Sequence, residues 1–444
     1  MKAFLALALM FGATNDNRYE RFMRSSGLAR GRMPSGYVSY AAFELASQYA
    51  SNVNAECECP PGITADTPSV EVSFTRASTA LCVKANGTGV TCAANQPVIE
   101  RRGSWYGIRS EGAATNLFTN SNYFLASGGT WSTTNTPTIT GGQQSAPSGA
   151  TTLIVDDSAA QFEGVFQTVT TGLATGYYYT SCWLASGTQT KATVWVTKTG
   201  GTPFTRCEFN LTSTPTRYTC VGPNFTTLPA DVQVGLYPGI VATDVGGVYF
   251  GGCQLERNSV INALGDYNGT TSYIATTSAQ VTRAATSMSI TVPAAVSNDN
   301  GCARVSTYWD SHNALTGTEW IASQLGFQTN DEVVSYGSLI TRKAQFYDGT
   351  NSPQTSAIGA ALKDSWTQGR AGWTTVGGNA SEVGGRTGVS AAVLNSAAAY
   401  DGAVSVAGLT LRFGSNYATT RYCNCLIGPT MLDSSRQSCP FEEP

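Results

Sequence analysis

The sequence predicts an all-β chain: two antiparallel β-sandwiches preceded by a partly helical N-terminal anchoring segment. Charged residues make up only 12% of the 444 positions. That is about half the ~25% of an ordinary soluble domain, and it disfavours the long solvated helices that carry Glu and Lys. Polarity comes instead from Ser, Thr, Asn and Gln, with 47 glycines as punctuation, a mix that suits short strands joined by turns. Hydrophobic residues reach 41%, enough for substantial cores, and the length argues for two or three domains.

Residues 1–68 read as the anchoring segment. Met1-Lys2 and the apolar stretch 3–11 resemble a short signal peptide, but no A-x-A site closes the stretch and charged residues follow at once. It is therefore expected to be a retained apolar arm that packs into an assembly. Residues 37–50 (YVSYAAFELASQYA) place apolar side chains near helical spacing, and Cys59-Pro60-Pro61-Gly62 breaks structure behind them.

Residues 69–290 read as the first sandwich. Strand candidates are 69–74 (SVEVSF), 152–155, 177–183 (YYYTSCW), 191–196 (KATVWV), 231–236 (DVQVGL) and 247–250, separated by Gly, Pro and Thr loops. No crossover helices are offered, so the sheets should be antiparallel. Residues 291–444 read as a second sandwich, with candidates at 301–309, 332–336, 339–347 and 403–413. No repeat appears at solenoid or propeller periods.

The net charge of −3 and the lack of a long basic run argue against nucleic acid, which needs a phosphate-neutralising patch. The small cluster Arg21, Arg24, Arg30 and Arg32 reads as a solvated or interface segment. No run approaches the ~20 apolar residues of a membrane span, so no membrane insertion is expected. A surface so poor in charge is weakly protected against association, which points to burial of some of it against partner chains.

Twelve cysteines leave several readings open. The two C-x-C pairs, Cys57/Cys59 and Cys423/Cys425, lack the usual C-x₂₋₄-C zinc spacing, since positions i and i+2 of a strand merely share a face. No metal site is expected. Cys82 and Cys92 flank the turn signal Asn86-Gly87 and could bridge across a hairpin; Cys207 and Cys220 likewise flank a Ser-Thr-Pro turn. Burial as small apolar residues is the other reading.

Catalytic machinery is not expected. The single histidine, His312, sits in Asp310-Ser311-His312-Asn313, too local for a triad whose members come from separate elements. Asp156-Asp157, Asp331-Glu332 and Asp364 are acidic, yet solvated carboxylates or a calcium site are simpler readings than a glycosidase pair. There is no G-x-S-x-G, H-E-x-x-H or P-loop. No cofactor is expected beyond possible calcium. Aromatic candidates for stacking on sugar rings are Trp105, Tyr106, Trp131, Trp195, Trp309 and Trp373. Trp105-Tyr106 and Trp131, in Gly-rich loops, are singled out.

Ordered motifs then carry a resemblance. Residues 73–80 (SFTRASTA), the turn at 86–87, 111–117 (EGAATNL), 252–256 (GCQLE), 271–277 (TSYIATT) and 281–285 (VTRAA) follow one another. This order resembles a domain of phage tail and particle proteins with a jelly-roll sandwich similar to carbohydrate-binding modules. The segment between Glu256 and Thr271 is longer than that pattern, and Cys82, Cys92, Cys182 and Cys253 are additions to it. The last unit resembles a concanavalin-type, laminin-G-like sandwich in strand rhythm and position.

The resemblance implies a structural component of a phage particle, a tail fibre, spike or head fibre on the virion exterior. Its arm would contact other virion proteins and its sandwiches the host surface polysaccharide, most naturally as a homotrimer. Arg76, Glu111, Glu256 and Arg283 are expected as structural ion pairs tying the ends of the first sandwich together. Thr115 and Asn116 are expected to satisfy backbone groups. A capsule depolymerase and a secreted bacterial lectin are the alternatives.

Overall fold

The computed structural model describes residues 57–59, 72–84, 88–102, 105–122, 124, 130–258, 271–291, 300–308, 319–328, 331–338, 342–347, 354–359, 365–374, 380–387, 393–397, 410–413 and 425–433. Every regular element among them is a strand, and all strand pairs are antiparallel. The expected helix at 37–50 and the arginine cluster lie outside the described residues.

The centre of the chain is a sandwich of ten strands: β1 (Ser132–Thr134), β2 (Thr138–Thr140), β3 (Thr152–Asp156), β4 (Gly164–Val169), β5 (Gly176–Ser186), β6 (Lys191–Thr197), β7 (Thr205–Asn210), β8 (Thr216–Phe225), β9 (Val232–Pro238) and β10 (Gly246–Asn258). One sheet has the order β8-β5-β10-β3-β2 and the other β7-β6-β9-β4-β1. Successive strands pass repeatedly from one sheet to the other, as in a jelly roll.

Period-two alternation decides which side chains meet between the sheets. From the first sheet Ile154, Leu184, Val248, Phe250 and Leu255 point inward, and from the second Val165, Ala192, Val194, Val196, Val232, Val234 and Leu236. The core is closed at one end by Leu117, Phe118, Phe124 and Trp131. Cys207 on β7 and Cys220 on β8, edge strands of opposite sheets, are disulfide-bonded with Cα atoms 5.5 Å apart. The bridge clips the two sheets together along one side. Cys182 and Cys253 are bridged between neighbouring strands β5 and β10, beside a shift in their register.

The strands outside this sandwich cross the boundary expected at 290/291. An eight-stranded sheet has the order 57–58, 99–102, 105–110, 425–433, 300–308, 366–374, 380–387, 393–397. A seven-stranded sheet runs 72–75, 287–291, 410–413, 319–328, 331–338, 342–347, 354–359. Thus Ile108 pairs with Ile427, and Met288 pairs with both Phe74 and Phe413. The strands 342–347 and 354–359 lie over 366–374 and 380–387, so these sheets also pack face to face.

Segments on both sides of the expected boundary therefore share sheets, with the ten-stranded sandwich inserted between residues 110 and 287. Periodicity along a strand identifies its buried face, but it carries no information on which distant strand lies alongside.

The insertion has a defined neck. A two-stranded ribbon pairs Ala114–Asn116 with Val281–Arg283 where the chain leaves and returns. The Thr286 N–H donates to the Glu111 carbonyl at 2.8 Å just outside it.

Candidate functional site

Two arrangements of side chains stand out: a buried polar network at the neck and an aromatic cluster on the outer face of the β7-β6-β9-β4-β1 sheet.

The network gathers residues of the ordered motifs. Glu111 and Arg283, 3% and 1% exposed, form an ion pair at 2.9 Å. The Glu111 carboxylate also accepts the Ser272 N–H and hydroxyl at 2.6 and 2.8 Å. Burial alone would raise its pKa, but Arg283, Arg109 and the two Ser272 donors outweigh it and hold the carboxyl below its ordinary value.

Asn116 is fully satisfied: its amide donates to the carbonyls of Cys253 and Ile274, and its oxygen accepts the N–H groups of Phe118 and Leu255. Thr115 meets Thr282 hydroxyl to hydroxyl at 2.8 Å. Gln254 accepts the Ile274 N–H at 2.6 Å.

Two of the expected ion-pair residues do something else. Arg76 sends its guanidinium to the carbonyl oxygens of Ser78, Ala93 and Gln96 at 2.9, 3.2 and 2.7 Å. It holds a loop rather than a carboxylate, because the turn at 93–96 presents its carbonyls to the guanidinium. Burial lowers its pKa to about 10, with Glu111 opposing and Arg283 adding to the shift. Glu256 accepts the N–H of Thr271 at 3.0 Å and its hydroxyl at 2.5 Å. Burial raises its pKa, and the bonds from Thr271 and Gln254 and the charges of Arg217 and Arg283 only partly oppose that. The carboxylates of the network and the Asn116 amide are bonded within the fold, and the network is a structural tie.

The cysteines at the N-terminal edge pair differently from the hairpin expectation. Cys82 is bonded to Cys57 and Cys92 to Cys59, with Cα separations of 5.7 and 5.2 Å. In the hairpin Cys82 stands opposite Val90 and Cys92 opposite Ala80, so the two sulfurs share a face without facing each other. The C-x-C segment lies along that face and presents one sulfur to each. Cys59, Cys82 and Cys92 come close enough to hold an ion, but their sulfurs are engaged in these bridges.

Of the singled-out aromatics, Trp131 is a core residue, 3% exposed. It is packed between Phe118 and Phe124 with centroids 5.1 and 4.8 Å away, and its indole N–H donates to the Asn120 carbonyl. Its neighbouring glycines marked a loop, but Trp131 itself packs into the end of the core. Trp373 is likewise fully buried. The side chains of Trp105 and Tyr106, and all of Trp309, His312 and Asp364, lie outside the described residues. Asp331 and Glu332 are described only as strand backbone.

Asp156 is buried, and its oxygens accept the N–H groups of Ser158 and Glu163. Glu163 in turn accepts the Asp157 N–H and the Thr136 hydroxyl. These bonds close the loop between β3 and β4.

The aromatic cluster follows from strand alternation. In β6 (KATVWVT) Ala192, Val194 and Val196 enter the core, so Lys191, Thr193 and Trp195 point outward. The same logic puts Gly235 and Tyr237 of β9, Gly164 and Phe166 of β4, Arg206 and Glu208 of β7, and Thr134 of β1 on that face. Register aligns Arg206, Trp195, Gly235 and Phe166 in one row and Glu208, Thr193, Tyr237, Gly164 and Thr134 in the next.

Glycine is required at 235 and 164 because the Tyr237 ring lies down across both. A Cβ at either would run into the ring. Tyr237 is anchored by a 2.9 Å bond between its hydroxyl and that of Thr134. Burial pushes its pKa up, with the Thr134 bond opposing.

Trp195 lies beside Tyr237 with centroids 4.4 Å apart and planes at 32°. Phe162 presents an edge to both rings at 5.7 and 5.9 Å, and Phe204 presents one to Trp195 at 5.9 Å. Tyr237 is the buried floor, Trp195 and Phe162 are partly exposed, and Phe204 is 48% exposed. The Arg206 guanidinium sits 5.4 Å from the Phe162 ring. Trp195 was among the aromatic candidates of the sequence; the alternation of its strand is the signal that distinguishes it from Trp131.

Fold and site together define, among the described residues, an all-β protein with antiparallel sandwiches and a partly exposed aromatic face. No family model matches the chain, and no curated protein does. Among solved structures it is similar to the N-terminal CBM22-1–CBM22-2 tandem domain of Paenibacillus barcinonensis Xyn10C, at 8% identity and a TM-score of 0.25. That match covers 74% of this chain and 100% of the other. It is also similar to domains LG4-5 of the mouse laminin α1 chain, at 9% identity and a TM-score of 0.23, covering 64% of this chain and 93% of the other. At these TM-scores neither likeness bears on what the chain binds.

Proposed function

We propose that this chain is a carbohydrate-binding protein of a bacteriophage particle, attached through its N-terminal segment and presenting its sandwiches to host surface glycans. The glycan half rests on one observation: Trp195, Phe162 and Phe204 gathered over Tyr237 on the outer face of a sheet. Sugar rings present flat C–H faces to aromatic side chains, and an exposed aromatic group on a rigid sheet costs little ordering entropy when it binds. The phage half rests on the ordered motifs from 73 to 285. Several of their side chains, Glu111, Asn116, Thr271 and Arg283 among them, build the neck and its surrounding network.

The role is binding rather than catalysis. Among the described residues, the buried carboxylates Glu111, Glu256, Asp156 and Glu163 are committed to hydrogen bonds within the fold. A homotrimer, supported by the low surface charge, would multiply weak sugar contacts into useful avidity. Virion proteins would then be its partners at the N-terminal end. A secreted lectin is a second reading, favoured by the disulfides, which form in an oxidising exterior.

Immunoblotting and mass spectrometry of purified particles, with a host-polysaccharide binding and reducing-sugar assay on the full chain, test the proposal. The expected result is presence in the particle and saturable binding without sugar release. Absence from particles would leave the lectin, and release of reducing ends would show a depolymerase.

A further inference from the structure

We infer that the sugar recognised by the aromatic face is acidic, a ring bearing a carboxylate or sulfate that Arg206 receives in place of Glu208. The inference rests on the carbohydrate-binding reading above and narrows its ligand class.

The five strands of this sheet carry only three charged residues, Lys191, Arg206 and Glu208. All three point to the outer face, leaving it with one more cation than anions. Arg206 stands directly opposite Trp195 in the register, so its guanidinium borders the platform. Its guanidinium carbon lies 5.4 Å from the Phe162 ring centroid, which holds the cation beside the rings.

The present partner of Arg206 is Glu208, at 3.0 Å. Glu208 is 50% exposed and Arg206 28% exposed, and an exposed pair of this kind contributes little. A ligand oxyanion can therefore replace it at small cost.

The hydrogen-bonding chemistry points the same way. The Arg206 side chain, 28% exposed, carries only donors, and a carboxylate or sulfate offers it several acceptor oxygens where a sugar hydroxyl offers one.

The test uses the full chain in calorimetric titrations with matched polymers: polygalacturonate and its carboxyl-reduced neutral counterpart, and dextran sulfate and dextran. The expected result is at least about tenfold tighter binding of one acidic polymer than of its neutral partner. Which pair shows the difference separates carboxylate from sulfate. Arg206→Gln should bring that ratio to within about twofold, whereas Glu208→Gln, which removes the internal competitor, should raise it severalfold. Raising salt should weaken the acidic polymer selectively.

Equal binding of acidic and neutral polymers, lost in Trp195→Ala, would overturn the inference and keep the aromatic face as the sugar site. An acidic preference unchanged in Arg206→Gln would overturn it as well. Binding that survives both Trp195→Ala and Phe204→Ser would overturn the reading on which it rests.

Discussion

Glu111 and Arg283, one at the exit and the other at the re-entry of the inserted sandwich, are joined in a buried ion pair at 2.9 Å. The pair closes the neck beside the ribbon of Ala114–Asn116 and Val281–Arg283. Removing one member of a buried pair strands the other charge, at a cost of about 3–5 kcal/mol. Glu111→Gln should therefore lower the unfolding free energy from urea titration by that amount, shifting the midpoint with little change in slope. A loss below about 1 kcal/mol would show that the neck is not held by this pair.

Glu111 and Glu256 predict opposite pH behaviour. Glu111 has a folded pKa below its unfolded value, so its stabilisation is complete above the ordinary carboxylate range and is lost as pH falls through the lower folded value. Glu256 has a raised folded pKa, so its contribution is complete below the unfolded value and is lost as pH rises through the folded one. At neutral pH Glu256→Gln should be close to neutral, within about 1 kcal/mol, whereas Glu111→Gln is costly. Denaturation curves of the two variants from pH 3 to 8 check this: the Glu111 deficit should shrink towards acid, and the Glu256 difference should move towards destabilisation there.

The disulfides predict a specific map. Glu58 separates Cys57 from Cys59, and Lys84 separates Cys82 from Cys92. Cleavage after Glu, Lys and Arg without reduction can therefore assign these two bridges. The expected linked peptides are Cys57–Cys82 and Cys59–Cys92; no Glu, Lys or Arg lies between Cys220 and Cys253, so the two sandwich bridges should hold one fragment containing both to the peptides of Cys182 and Cys207. A Cys82–Cys92 peptide would contradict the register. Loops of 25 and 33 residues imply about 3–4 kcal/mol per bridge from chain entropy, so reduction should lower the thermal midpoint markedly.

Trp131 and Phe204 should separate by assay. Trp131→Ala opens a cavity between Phe118 and Phe124 and should cost about 3–5 kcal/mol of stability. Phe204→Ser removes a half-exposed ring and should leave stability within about 0.5 kcal/mol. Comparable losses in both would argue that Phe204 is a packing residue.

Much of the inserted sandwich was legible in the sequence, since its strand runs alternate cleanly and its motifs come in order. Asn116, Thr115 and the Glu111–Arg283 tie fall where those motifs suggested. The nesting was not legible, because pairing of 105–110 with 425–433 is a contact between segments whose local patterns are independent. The partners of Cys82 and Cys92 were hidden for the same reason: a hairpin signal shows which residues flank a turn, not what lies on its face. Trp131 and Trp195 show the limit for sites. Glycine-rich surroundings marked the first, while only the phase of KATVWVT against its neighbouring valines sets the second outside the core.

The most direct test of the carbohydrate-binding account is the affinity of the full chain for host surface polysaccharide, compared among the unaltered protein, Trp195→Ala and Phe204→Ser. Circular dichroism should confirm the fold in each. The account predicts saturable binding that falls at least about tenfold in Trp195→Ala, in line with the ~1.4 kcal/mol per decade that loss of a stacking ring readily exceeds, and by a smaller factor in Phe204→Ser. Folded variants that bind as tightly as the unaltered chain would contradict it.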